Sequence, residues 1–281
     1  MKGIPKISEA ITEMLEVFEH PTPSALENQF RLKMFEREAK ALAHKDPSHK
    51  VTYAASLVLL RKFTEAEKIT SAILSEPYVP TPELNNLALL CFSMMGPSSQ
   101  IGLARCIKNG LHRCHDVTEL LILLDLYLMY YRCFLRKPCE IPSKFLDNGA
   151  MEEKIIVLDN YCSQLQSTLQ RYGVSLETYH GLLEWLYQEI YKRKFIVAQV
   201  LTDSVAEYIA TEVWVVPTSL DDYVDLSSDF AEKKHELGLP EDVQVYLNRV
   251  TDDQYNEPSF AIAPIDKDFI KDLDSLLGIK S

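Results

Sequence analysis

Apolar positions in the first two-thirds of the chain recur mostly at helical spacing. Ile7, Ile11, Met14, Leu15 and Phe18 share one face of a helix predicted over 7–20, with Ser8 as its cap and Pro21 and Pro23 ending it. A second helix is predicted over 24–44. Ser24 is read as its N-cap, Glu27 stands at the capping-box position, and Leu32, Phe35, Ala39 and Leu42 mark the inward face. After a polar turn at 45–49, Val51 to Leu60 reads as an apolar helix. Arg61, Lys62 and Phe63 turn the chain, and Thr64-Glu65-Ala66-Glu67 opens a helix running through Ile69, Ala72, Ile73 and Leu74 to Pro77. Thr81 and Pro82 start another helix with Leu84, Leu87, Ala88, Cys91 and Phe92 on one face. Its partner follows the turn at 96–99 and carries Ile101, Ala104, Ile107 and Leu111. A third pair is predicted from Thr118–Phe134 and Met151–Tyr172, joined by a long Pro-containing stretch.

The unit that begins at Val51 has a definite plan: a helix, a tight turn with an aromatic, a Glu-Ala start, a second helix and a proline, 27 residues from Val51 to Pro77 and read as one unit of a period of about 34. It resembles a tetratricopeptide repeat. Phe63 stands at the aromatic position, Ala66 at the small position where the two helices pack closely, and Pro77 at the close. The resemblance spans residues 50–115 and extends more loosely to 172. It implies protein–protein binding through a concave groove lined by exposed residues of each first helix, which places Tyr53, Leu57, Asn85 and Asn86 on the ligand side.

From Leu176 the pattern changes. Leu176 to Lys194 is amphipathic, with Tyr179, Leu183, Leu186, Ile190 and Tyr191. The segments 195–200 and 207–216 are rich in Val, Ile, Tyr and Trp, with Thr202-Asp203-Ser204 between them. Val213-Trp214-Val215-Val216 is the strongest strand signal in the chain. The first segment suits a strand or a continued helix equally, so a hairpin and a helix both stay open. A helix is predicted over 227–237, stopped at Gly238, and a strand over 243–250. The fold expected is mainly α: a helix-pair, tetratricopeptide-like array at 1–172 and a small C-terminal α+β module at 173–250. An acidic linker and an amphipathic helix occupy 251–281. In that last helix Phe269, Ile270, Leu273, Leu276 and Leu277 share one face and acids the other, a form suited to entering a partner's groove or to folding back on the same chain.

Charge sharpens this division. Residues 1–200 hold 23 basic and 23 acidic side chains; residues 201–281 hold 6 and 18 and so carry the whole net charge of −12. An acidic surface repels nucleic acid and favours a basic partner. Six cysteines sit in apolar helical stretches, the first residues lack the apolar core of a signal peptide, and Asp125 interrupts the longest apolar run. A reducing cytoplasm, reduced thiols and no membrane span are expected.

Catalytic patterns are sparse. Gly-rich phosphate loops, a nucleophile elbow and His-Glu-x-x-His are lacking. Cys106, His112, Cys114 and His115 cannot close a zinc tetrahedron from one helix. His180 and Glu184 pair at i, i+4 without a second such helix to build a di-iron site. Asp221, Asp222, Asp225 and Asp229, read as a turn after the Trp214 strand, have the chemistry to hold a divalent metal; as alternatives, Asp225 or Ser227 caps the next helix. Lys192-Arg193-Lys194 is expected to pair with the acidic C-terminal region and fold the module onto the array. The reading expected is a non-enzymatic adaptor or chaperone, without cofactor or metal, whose partner is another protein, with the oligomeric state left open. Two alternatives accompany it: a metal-dependent hydrolase built on 221–229, and an acidic inhibitor or immunity-type protein capping a basic partner.

Overall fold

The structure, a computed structural model, describes residues 9–75, 149–205 and 208–253, with isolated positions 91, 94, 95, 107, 108, 111, 139–141 and 143. Eight α-helices, a 3-10 turn at Pro47–His49 and three strands occur among the described residues. The chain is mainly helical with one small sheet.

The N-terminal region contains α1 (Glu9–Glu19), α2 (Pro23–Glu27), α3 (Gln29–Lys45), α4 (Lys50–Leu59) and α5 (Phe63–Ser75). The single helix predicted over 24–44 is two helices. Thr22, not Ser24, caps the first: its Oγ1 accepts from the Ala25 N–H at 3.2 Å, with Pro23 at the first helical position. Asn28 then leaves helical geometry at ψ 78°, and its side chain accepts from the Arg31 N–H at 3.1 Å to restart the chain as α3. Leu32, Phe35, Ala39 and Leu42 form the buried face of α3 as predicted.

Helix α4 packs along both α3 and α5 and touches α1. Nine consecutive residues from Val51 to Leu59 are buried except Tyr53, which fits a helix enclosed by others rather than one with a wet side. Two backbone bonds of a Schellman motif end α4: Arg61 N–H to Val58 O at 2.8 Å and Lys62 N–H to Leu57 O at 2.8 Å. Arg61 takes the left-handed position at φ 58°, where glycine is usual.

The C-terminal region contains α6 (Gly149–Arg171), α7 (Leu176–Lys192), β1 (Ile196–Val205), β2 (Tyr208–Val216), α8 (Leu220–Glu236) and β3 (Val243–Arg249). The ambiguous stretch 195–216 is two antiparallel strands. Thr202, Asp203 and Ser204 lie within β1, opposite Thr211, Ala210 and Ile209, instead of separating the two segments. A bulge falls between Val197 and Gln199. β3 pairs with β2 in parallel, from Ile209–Val243 to Val215–Arg249, so α8 is the crossover and β2 the central strand.

Alternation along β2 decides the sheet's two faces. Ile209, Thr211, Val213 and Val215 are buried, whereas Ala210, Glu212 and Trp214 are half-buried and Tyr208 is exposed. On the buried face, the hydroxyls of Tyr179 on α7 and Thr211 hydrogen-bond, which satisfies two polar groups inside the core. On the other face, Glu212 accepts from Trp214 Nε1 at 2.9 Å and from Asn248 Nδ2 at 3.4 Å. The carbonyls of Val245 and Leu247 point away from β2. Side chains of α8 cover them: Lys234 Nζ at 3.3 Å and Tyr223 Oη at 3.0 Å. Trp185 of α7 and Phe230 of α8 stack at 6.3 Å. The buried apolar residues of both regions form one contiguous cluster.

Candidate functional site

The residues expected to line a groove fare differently. Tyr53 is half-buried; loss of water around its hydroxyl, aided by Glu36 and Glu65, raises its pKa above the ordinary phenol range. Leu57 is 0% exposed. This corrects its assignment as a contact residue: α5 and α3 flank α4, and Leu57 faces that core. Asn85, Asn86, Phe269, Ile270, Leu273, Leu276 and Leu277 lie outside the described residues, as do Cys106, His112, Cys114 and His115.

The acidic run 221–229 is not a turn. It is the first half of α8, which begins at Leu220, seven residues before the predicted start. Neither Asp225 nor Ser227 caps it. Ser219 does: its Oγ accepts from the Asp222 N–H at 3.1 Å and donates to Asp222 Oδ2 at 2.7 Å, and Thr218 Oγ1 donates to the same oxygen at 2.7 Å. These hydroxyls, Ser219 first and then Thr218, hold the Asp222 carboxyl below the usual carboxylate range. Asp229 accepts from Arg193 at 2.6 Å. The four carboxylates therefore spread over about two helical turns and two of them are engaged locally. No group of three or more His, Cys, Asp or Glu side chains placed to hold a metal occurs among the described residues.

What α8 does present is a mixed surface. Leu220 and Val224 follow one another at i, i+4, and each is 56% exposed. Exposed Asp221 and Asp225 stand beside them. An isolated exposed leucine needs no explanation; two aliphatics on one helical face, with exposed Asp221 and Asp225 on the adjoining face, make a small amphipathic patch of negative sign.

Of the basic triplet 192–194, Arg193 pairs with the acidic C-terminal region as expected, at Asp229, and the other two do not. Lys192 bonds Glu189 on its own helix at 2.6 Å, Arg193 bonds Asp229, and it is the backbone of Lys194 that meets the N-terminal region. There Arg61 Nη1 donates to Lys194 O at 2.6 Å and Val216 O at 3.1 Å, and Nη2 donates to Pro217 O at 2.9 Å. Burial lowers the Arg61 pKa to about 10, so the group stays cationic at neutral pH. Beside it Tyr191 Oη donates to Glu67 at 2.9 Å and the Tyr191 ring lies 5.7 Å from that of Phe63. Asp252 Oδ1 accepts from the Ser24 N–H at 3.1 Å, so the start of the expected linker touches the beginning of α2. Sequence reasoning assigned Arg61 only to a turn. Nothing local marks a long-range tie, because its acceptors are backbone carbonyls more than 130 residues away, which leave no side-chain signature.

The chain matches no protein-family model, no curated protein and no solved structure. Among the described residues no helix is long and apolar enough to cross a membrane.

Proposed function

We propose that this is a non-catalytic protein-binding protein, an adaptor or chaperone, that engages a basic partner through its acidic C-terminal region. The observation that carries the reading is the exposed face of α8, where Leu220 and Val224 lie to one side of the exposed Asp221 and Asp225. Apolar contact supplies affinity, and the acids select a basic counterpart and steer its approach. The same proposal gives Phe269, Ile270, Leu273, Leu276 and Leu277 a share of the contact.

A tetratricopeptide-like reading of the N-terminal helices is part of the proposal. The α4–α5 pair supports it: Ala66 is fully buried in the core and Phe63 is buried beside the turn. In that reading Tyr53, Asn85 and Asn86 line a second contact surface. An acidic inhibitor of a basic enzyme would use the same α8 face, and the charge of −12 favours it as the second reading.

Affinity capture from the native source, comparing the full chain with Leu220→Glu/Val224→Glu and with a chain ending at Thr251, tests the proposal. One stoichiometric basic protein, lost at high salt and weakened by either change, is the expected result. Equal capture by all three chains would move binding to the helical groove, and no capture by any would overturn the reading.

A further inference from the structure

We propose that Arg61 is a latch: one guanidinium holds the α7–β1 turn and the β2–α8 turn against the α4–α5 turn, and its release opens those turns without unfolding the rest.

The geometry is unusual in what it joins. Arg61 and Lys194 each occupy the left-handed position after a helix, both at φ 58°, and each ends its helix with the same pair of backbone bonds. Lys194 N–H reaches Tyr191 O at 3.0 Å and Phe195 N–H reaches Ile190 O at 3.0 Å, matching the bonds that Arg61 and Lys62 make to Val58 and Leu57. The two loops meet through the guanidinium, which spans Lys194 O on one side and Val216 O and Pro217 O on the other. These three carbonyls come from the entry to β1 and the exit from β2, the paired ends Ile196–Val216 of the hairpin. One planar fork thus gathers three backbone acceptors from two turns.

The side-chain identity is costly for the backbone, since glycine fits the left-handed position better. Lys194 bears the same strain with an exposed side chain, so it is the three bonds of the guanidinium, not the backbone position, that single out Arg61. Lysine would keep the charge but lacks the fork that spans three separated acceptors. Each of its three bonds to a carbonyl has one ionised partner and is stronger than a neutral bond, so the latch opens only when all three are given up. The apolar contact of Phe63 with Tyr191 and the Tyr191–Glu67 bond remain when it does, so the two regions stay together.

Hydrogen exchange of the full chain read by mass spectrometry, on the natural protein, Arg61→Gly and Arg61→Lys, tests the latch. Arg61→Gly relieves the backbone and removes the fork; Arg61→Lys keeps charge and backbone strain and removes only the fork. The expected result is exchange faster by on the order of tenfold in both variants, the effect of losing a charge-assisted bond. It should be confined to peptides covering 194–197 and 216–223, with the α3 peptide 31–42 unchanged. Unchanged exchange at those two turns in Arg61→Gly would overturn the proposal. So would a uniform rise across α3 and the turns alike, because that describes ordinary global destabilisation.

Discussion

The two regions solve burial in different ways, and the difference decides which helix keeps an uncovered face. In the N-terminal region α4 is enclosed by α3 and α5, and its side chains are nearly all taken up by the core. Acids and bases balance over residues 1–200, which take in this region and run on as far as β1. In the C-terminal region a three-stranded sheet buries one face and α8 closes the β3 edge with Tyr223 and Lys234, which leaves the far side of α8 in water. The surplus acid of the chain is spread over residues 201–281, α8 among them. A fully enclosed helix contributes stability. A crossover helix with one wet side keeps an uncovered surface, the one on which the proposed function rests.

The largest effect expected on that contrast is in the enclosed helix. Leu57→Ala should destabilise by about 3 kcal/mol, the middle of the range for truncating a buried leucine, measured as a lowered urea midpoint. A change under about 1 kcal/mol, the level of surface substitutions, would mean α4 is not enclosed as described. Next is the sheet. Tyr179→Phe removes the hydroxyl bonded to Thr211 and should cost about 1 kcal/mol, the usual worth of one buried hydrogen bond. Ser219→Ala should cost about 1 kcal/mol through loss of the α8 cap, and thermal denaturation reads it directly.

A smaller effect concerns pH. The carboxyls of Asp222 and Asp46 are both held below the ordinary range, by Ser219 and Thr218 in one case and by Ser48 in the other. A lowered folded pKa means that these caps stabilise the fold above the ordinary carboxylate pKa near 3.9 and lose that contribution as pH falls through the lowered value. Asp222→Asn should therefore flatten the acid limb of the stability–pH curve from about pH 4 downward and leave the neutral limb's slope alone. An unchanged acid limb would count against the cap. The smallest expected effect on stability is that of Leu220→Glu/Val224→Glu, within about 0.5 kcal/mol, as for other exposed positions.

The contrast also governs what was legible in the sequence. Helical stripes such as Leu32, Phe35, Ala39 and Leu42 announce themselves, because burial on one face imposes a period. Phe195 to Val200 did not, since a strand buried on both sides and a buried helix have the same apolar texture; pairing with β2 decides it, and pairing is non-local. The start of α8 was legible and passed over: Ser219-Leu220-Asp221-Asp222 is a capping-box spacing, masked by the expectation of a turn after Trp214. Thr22-Pro23 is likewise a better helix start than Ser24. The exposure of Leu220 and Val224 depends on which side of α8 the sheet takes, and periodicity alone does not fix it.

Joining two differently built regions into one contiguous core is the central claim, and the two tryptophans offer a direct test. Trp185 and Trp214 both lie in the C-terminal region, whereas far-UV circular dichroism is dominated by helices from both. Urea unfolding followed by both signals on the full chain should give coincident transitions with one midpoint. Fluorescence that changes at a clearly different urea concentration from the dichroism would mean that the regions unfold separately, and would contradict the shared core.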